Sequence, residues 1–202
     1  MEIVLATKNA GKVDELTAMM KEMDVNISSL IDHPEIPEIE ETGATFLENA
    51  RKKARCVAEF TGKYVLADDS GLEVEALGGL PGVTSARYAG ESHDYKANNE
   101  KLLREMRSVP EGMRHAKFCC VMVLVAPDGK EWSTTGECLG TITRDLRGAG
   151  GFGYDPLFYV TEKNRTMAEL AMDEKNEISH RGRALQDMMN ILVEILSKSQ
   201  QT

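Results

Sequence analysis

The sequence has little of what staples or metal clusters require. Its 202 residues include four cysteines, Cys56, Cys119, Cys120 and Cys138, with no CxxC among them. Neither a disulfide framework nor a thiolate zinc site is therefore indicated. The histidines His33, His93, His115 and His180 are scattered without metal-ligand spacing, so any metal here is expected to be held by oxygen. Basic residues are in deficit as well: 24 Lys and Arg against 33 Asp and Glu give a net charge of −9. Nucleic-acid backbones are bound through a basic footprint, which makes a nucleic-acid polymer an unexpected partner. A small phosphorylated ligand needs only a local basic pocket. The longest apolar run, Phe118 to Ala126, falls far short of the about 20 residues of a membrane span. Met1-Glu2-Ile3 lacks the charged-then-apolar layout of a signal peptide. The expectation is a cytoplasmic protein with no membrane association.

Enough apolar residues are present, 42%, for a core, and a chain of this size buries roughly 70% of its unfolded surface. No repeat, low-complexity linker or composition break divides it, so one domain over residues 1–202 is expected, or two lobes around a shared cleft. Glu2 to Thr7 reads as a strand and Lys8 to Gly11 as a turn, after which Val13, Leu16, Met20 and Met23 recur at helical spacing. Residues 33–43 hold prolines among glutamates and read as a loop or edge strand. Thr45 and Glu48 have the spacing of a capping box, Phe46, Ala50, Ala54 and Val57 form the stripe of the helix it opens, and Gly62 suits its end. Tyr64 to Ala67 reads as a buried strand ending at Asp68-Asp69-Ser70-Gly71. Two further strands, 116–126 and 132–143, are joined by the turn Pro127-Asp128-Gly129. A helix is expected near 95–107 and another from Ser179. Strands alternating with helices make the chain α/β, and the 116–143 hairpin implies a mixed sheet.

Several short stretches carry chemistry. Thr7-x-Asn9-x-x-Lys12 lies where a strand gives way to a helix, and helix N-terminal amides beside a lysine form an anion site. The GxxxxGK[ST] spacing of a P-loop is absent, and no GxGxxG follows the first strand, which disfavours a dinucleotide oxidoreductase. On the local pattern alone, an ordinary strand-to-helix turn with a solvated lysine is the commoner explanation. Asp68 and Asp69 stand where open α/β sheets bind ligands. Neighbouring strand side chains point oppositely, so the two acids should differ in role, one facing a cleft to bind a cation such as Mg²⁺. Glu40 and Glu41 could add a carboxylate. Lys53 could reach a cleft or snorkel at the surface. Aromatics in Phe152-Gly153-Tyr154-Asp155 could stack on a flat base or plug the loop from beneath. His180 and Arg181 fall in the first turn of a helix, where its dipole disfavours cations, and Lys175 lies just before. Either a ligand compensates them, or Glu174 and Glu177 do. Phosphate loop, metal carboxylates, stacking aromatic and late cationic donors together describe a site for a nucleoside triphosphate.

Five stretches, ATKNAGK (6–12), TFLENARKKA (45–54), LADDSGLEVEALGGLPGVTSARYAG (66–90), GGFGYDPLF (150–158) and EKNEISHRGRAL (174–185), resemble the inosine/xanthosine triphosphate pyrophosphatase family. The resemblance implies an elongated mixed central sheet with flanking helices and two lobes around a nucleotide cleft. It also implies Mg²⁺ dependence, a homodimer, and hydrolysis of ITP, dITP and XTP to monophosphate and pyrophosphate. By position, Thr7, Lys8, Asn9, Ala10, Gly11 and Lys12 match its triphosphate loop, with Lys8 and Ala10 acting through backbone. Asp69 matches its catalytic carboxylate and metal ligand, and Ser70 a substrate contact. Glu40 matches the second metal ligand, with Glu41 one residue away in an open register. Phe152, Gly153, Tyr154 and Asp155 match the base-side loop, and Lys175, His180 and Arg181 match late substrate contacts. Arg181 and His180 as donors would suit the 6-oxo edge of hypoxanthine or xanthine and oppose the amino group of adenine.

Overall fold

The computed structural model describes residues 1–90 and 94–199, so His93 lies outside the described residues. The chain forms two compact units. The first comprises Met1–Asp69, Cys120–Gly136 and Arg181–Thr202, and the second Ser70–Cys119 and Glu137–His180. The strands are β1 (Glu2–Leu5), β2 (Asn26–Ser29), β3 (Tyr64–Val74), β4 (His115–Val125), β5 (Glu131–Ile142), β6 (Phe158–Val160) and β7 (Arg165–Thr166). They form one seven-stranded sheet in the order β2-β1-β3-β4-β5-β6-β7. β1 runs parallel to β2 and β3, whereas β6 is antiparallel to both β5 and β7. The sheet is therefore mixed, as expected.

In the first unit strand parity assigns the two faces. Ile3 and Leu5 of β1, Leu66 of β3 and Cys120, Met122 and Leu124 of β4 face one core, shared with α1 (Ala10–Met19) and α5 (His180–Ser199). Val4, Ala6, Val65, Ala67, Val123 and Val125 face another, closed by Ala50, Ala54 and Val57 of α2 (Phe46–Thr61). Strands covered on both faces read as near-continuous apolar runs, which is how this sequence reads there. The Thr45 side chain accepts from the Glu48 amide, and the Glu48 carboxylate accepts from the Ala44 amide at 2.7 Å, one residue earlier than a standard capping box. Gly62, at φ +66°, ends the helix in the left-handed region.

The second unit packs α3 (Tyr95–Glu105), α4 (Met172–Ile178), β6 and β7 around a core that includes Leu72, Leu102, Met106, Phe118, Leu157 and Phe158. Arg114 lies inside this unit, 2% exposed. Its guanidinium donates to the carbonyls of Ile142 (2.6 Å), Met106 (2.7 Å), Val109 (3.2 Å) and Thr143 (3.0 Å). Burial holds its pKa below the ordinary arginine value, yet an arginine remains charged in any accessible pH range. One side chain thus satisfies the end of α3, the turn after it and the end of β5. Removing the donor leaves buried acceptors unpaired, so Arg114→Leu is expected to lower unfolding free energy by about 3 kcal/mol or more. A urea midpoint unchanged from the parent would contradict this role.

The structure departs from the sequence reading in several elements. β3 continues through Asp68, Asp69, Ser70 and Gly71 to Val74 rather than ending before them. β2 and α4 lie in segments where no element was expected, the first polar (NISS) and the second charged (MDEKNEI).

Candidate functional site

The extension of β3 decides where its two acids point. Asp68 shares parity with Leu66 and faces α1 and α5. Asp69 shares parity with Val65 and Ala67 and faces α2. Each carboxylate accordingly has its own partners. Lys12 Nζ lies 2.8 Å and Arg181 Nε 3.5 Å from Asp68 Oδ2. Burial would raise the Asp68 pKa, but Lys12, Arg181 and Lys53 outweigh it and hold this carboxyl far below the usual range. Asp69 Oδ2 accepts from Asn49 Nδ2 at 2.9 Å. Burial dominates there and pushes Asp69 up to about 6, with Lys53 opposing and Glu41 adding to the rise. The two adjacent acids do have separate electrostatic roles. One is locked as an anion, and the other is poised near neutrality.

Lys12 arrives on α1, whose N-cap is Asn9; the Asn9 Oδ1 accepts from the Lys12 amide at 3.3 Å, and Thr7 Oγ1 accepts from the Asn9 amide at 3.1 Å. The expected turn at Lys8 to Gly11 is thus the helix cap itself, with Ala10 and Gly11 in the first turn. Amides of a first helical turn have no intrahelical acceptor and favour an anion. The Lys8 and Ala10 side chains are exposed.

Lys53 is buried, and its ammonium donates to Glu41 Oε1 and to the Asp68 carbonyl, both at 2.5 Å. Its burial opposes the charge, but Asp68, Glu41 and Asp69 raise its pKa above the ordinary value. The two neighbouring glutamates differ in their surroundings at this point. Glu41 is half-buried beside Lys53 and electrostatically coupled to Asp69, whereas Glu40 is exposed.

Arg181 is buried, and its Nη1 donates to Glu15 Oε2 at 2.5 Å. Burial alone would lower its pKa, but Asp68 and Glu15 raise it above the ordinary arginine value. The cation that violates the helix dipole is thus balanced by Glu15 and Asp68. Two contributors to this first-unit cluster, Asn49 and Glu15, were not singled out from sequence. Each lies one helical turn from a residue that was, Asn49 four before Lys53 and Glu15 three after Lys12, so each shares its face.

The second unit holds the remaining candidates. Ser70 is half-buried on β3. The carboxylate Oδ2 of Asp155 accepts from the Phe152 amide at 2.9 Å and from Lys175 Nζ at 2.6 Å. Lys175 also stands 5.0 Å from the centre of the Phe152 ring, within cation–π range. Tyr154 is the plug: it is buried, and its hydroxyl donates to the Ser85 carbonyl at 2.8 Å. Phe152 is half-buried. Gly151 has φ +69°, and an added Cβ would come within 2.0 Å of the Asp155 carboxylate, so the loop requires glycine there. His180 is buried and stacks on Phe118, ring centroids 4.7 Å apart and 15° between planes.

The chain matches the Ham1 family over residues 3–191. It is 54% identical over 192 residues to a dITP/XTP pyrophosphatase of Desulforamulus reducens, covering 95% of this chain and 96% of that protein. Identity to a dITP/XTP pyrophosphatase of Listeria monocytogenes is 48% over 197 residues, covering 98% and 97%. Among solved structures, a HAM1 protein from Coxiella burnetii superposes with a TM-score of 0.87 at 42% identity, covering 96% of this chain and 99% of that one. The Ham1 protein of Staphylococcus aureus gives 0.85 at 40% identity, with the same coverage.

Proposed function

Because the chain belongs to the Ham1 family, we infer that it hydrolyses non-standard purine nucleoside triphosphates of the dITP and XTP type. The products are the nucleoside monophosphate and pyrophosphate. The observation in this chain that carries the reading is the Asp68–Asp69 pair, whose members are divided between two faces of one strand and between two electrostatic settings, one carboxyl held far below the usual range and the other raised to about 6.

The first-unit residues suit the triphosphate. Lys12 and the amides at the start of α1 bind phosphate oxygens, and ionised Asp68 fixes both Lys12 and Arg181 in orientation. Asp69, with a pKa of about 6, is suited to orient the attacking water and take its proton, since a general base works best near the operating pH. Asn49 holds the Asp69 carboxylate in place, and Lys53 steadies Glu41.

The oxygen donors here suit a hard cation. Burial raises the Asp69 pKa to about 6, a nearby cation would lower it again by favouring the ionised form, and Glu41 is electrostatically coupled to it. Among the described residues no three His, Cys, Asp or Glu gather as a complete metal site. Mg²⁺ is commonly bound by one or two carboxylates plus substrate phosphates. Asp69 and a carboxylate of the Glu40–Glu41 pair would hold it. The positive charge supplied by bound Mg²⁺ would offset the charge developing on the pyrophosphate leaving group.

The second-unit loop suits the base: Phe152 stacks on the purine, and Gly153, Asp155 and Lys175 line the same loop. His180 and Arg181 serve as donors to a 6-oxo edge. The reading also includes a homodimer, taken from the family resemblance, and a cytoplasmic location. Among the described residues no helix is long and apolar enough to cross a membrane. Incubation with ITP and Mg²⁺ is expected to release pyrophosphate and inosine monophosphate, and EDTA to stop the reaction. Orthophosphate as the initial product would overturn the assigned cleavage, and turnover undiminished by EDTA would overturn the metal.

A further inference from the structure

Two side chains of α3, one turn apart, meet the loop that carries Phe152. The Tyr95 and Phe152 rings lie 6.1 Å apart, tilted by 35°, and Asn99 Nδ2 donates to the Gly153 carbonyl at 2.8 Å. Asn99 is buried, 6% exposed, and its Oδ1 has no hydrogen-bond partner among the described residues. A buried amide with one end unsatisfied is unfavourable against an apolar side chain of the same shape. Its neighbour Asn98 is different: there the oxygen accepts from the Ala89 amide at 2.7 Å and the nitrogen donates to the Ala86 carbonyl at 3.0 Å. Asn98 secures its surroundings with both ends, while Asn99 secures one carbonyl only.

That carbonyl is well placed to matter. Gly153 has φ +64°, a region where glycine is otherwise free to move. On one side the Asp155 carboxylate fixes the Phe152 amide, and on the other the Tyr154 hydroxyl is anchored on Ser85. The Gly153 peptide is the segment between these anchors, and Asn99 is bonded to it.

We propose that Asn99 is a positioning residue for base recognition: by holding the Gly153 carbonyl it sets the orientation of the Phe152 ring before substrate arrives. It touches no substrate itself. Preorganisation of this kind lowers the ordering cost of binding rather than adding a contact. The inference rests on the reading in which Phe152 stacks on the purine.

The test uses the full chain with Asn99→Leu, of similar volume and without a donor, and Asn99→Asp, isosteric and acceptor-only when ionised. Calorimetry measures the Kd of inosine monophosphate, which has a base, and of inorganic tripolyphosphate, which has none. Loss of one hydrogen bond's net effect corresponds to an increase of about five- to tenfold in the Kd of inosine monophosphate for Asn99→Leu. The increase should be at least as large for Asn99→Asp, with tripolyphosphate affinity unchanged. For ITP hydrolysis the change should appear in KM more than in kcat. Equal loss for both ligands, accompanied by a fall in Tm, would mean a merely structural role and would overturn the proposal. Unchanged affinity for inosine monophosphate in the leucine variant would overturn it too. Phe152→Ala separates the two failures. If that variant weakens inosine monophosphate and Asn99→Leu does not, the positioning role is wrong. If Phe152→Ala has no effect, the stacking reading falls and the positioning role falls with it.

Discussion

Replacing Asp69 by Asn is expected to reduce kcat by about 10²–10⁴, the range associated with a positioned acid or base, while the fold persists. The substitution preserves shape and a hydrogen-bond acceptor for Asn49, and removes the charge required for proton transfer and for a cation. A second consequence has the opposite sign. Asp69 has a pKa raised from 3.8 to about 6 in the folded protein. Below 3.8 both states hold the proton. As pH rises from there to 6 the unfolded chain releases it first, so this group's contribution to stability falls, and above 6 the deficit is constant. The two-unit difference corresponds to about 3 kcal/mol. That shift is already net of the attraction to Lys53, and Asn, an imperfect stand-in for the protonated carboxyl, is expected to recover only part of it. Metal-free Asp69→Asn should therefore be more stable than the parent by about 1–2 kcal/mol at pH 8 and by little at pH 4, as active-site replacements often are. Melting curves in EDTA across this pH range check it. Near-parental turnover at saturating Mg²⁺ would remove Asp69 from the chemistry, and a stability difference independent of pH would remove the buried-charge argument.

Arg181→Ala is expected to cost about 3–5 kcal/mol of stability, the usual penalty for breaking a buried ion pair from one side. Both acids it neutralises, Glu15 and Asp68, are buried, and the substitution takes the guanidinium away from both. Arg181→Leu combined with Glu15→Leu should recover part of the loss, because the apolar pair removes both charges. Double-variant stability no better than that of Arg181→Ala would show that the ion pair is not what Arg181 contributes. Kinetics separate the remaining roles in whatever fraction folds. If the guanidinium donates to a 6-oxo edge, the ITP-to-ATP ratio of kcat/KM should fall by about tenfold or more, because a good donor pair discriminates by ~1–3 kcal/mol. If it acts on the phosphates through Asp68 and Lys12, both substrates should lose equally and the ratio should hold.

Much of the first unit was legible because single residues carried local rules. Thr45 and Gly62 bounded α2 through cap chemistry, and the apolar runs of β1 and β4 announced strands. The parity of Asp68 and Asp69 was legible too, since it follows from strand geometry alone. Their position within the strand was not. Asp, Ser and Gly are poor strand formers, and what keeps Asp68-Asp69-Ser70-Gly71 extended is tertiary: Lys12, Arg181 and Asn49 satisfy the acids from elements far away in sequence. β2 and α4 were missed for a related reason. Asn26–Ser29 is a short polar segment recruited by pairing with β1. Met172–Ile178 is a single charged stretch whose helix is capped by Glu174 reaching back to the Ala171 amide at 3.2 Å. Arg114 gave no sequence signal at all, since its partners are carbonyl oxygens.

At the site, the residue types were legible and their pairings were not. Lys53 read equally as a surface lysine until Glu41 and the Asp68 carbonyl were seen to receive it. Asp155 and Lys175 each suggested a ligand contact, whereas their bond to one another supports the Phe152 backbone.

The most direct test of the account is a set of initial-rate measurements with Mg²⁺ on ITP, dITP, XTP and ATP, with pyrophosphate as the detected product. The account requires kcat/KM for the three 6-oxo nucleotides to exceed that for ATP by about 10² or more, the order a hydrogen-bonding pocket can achieve against a mismatched group. ATP hydrolysed as efficiently as ITP would contradict it.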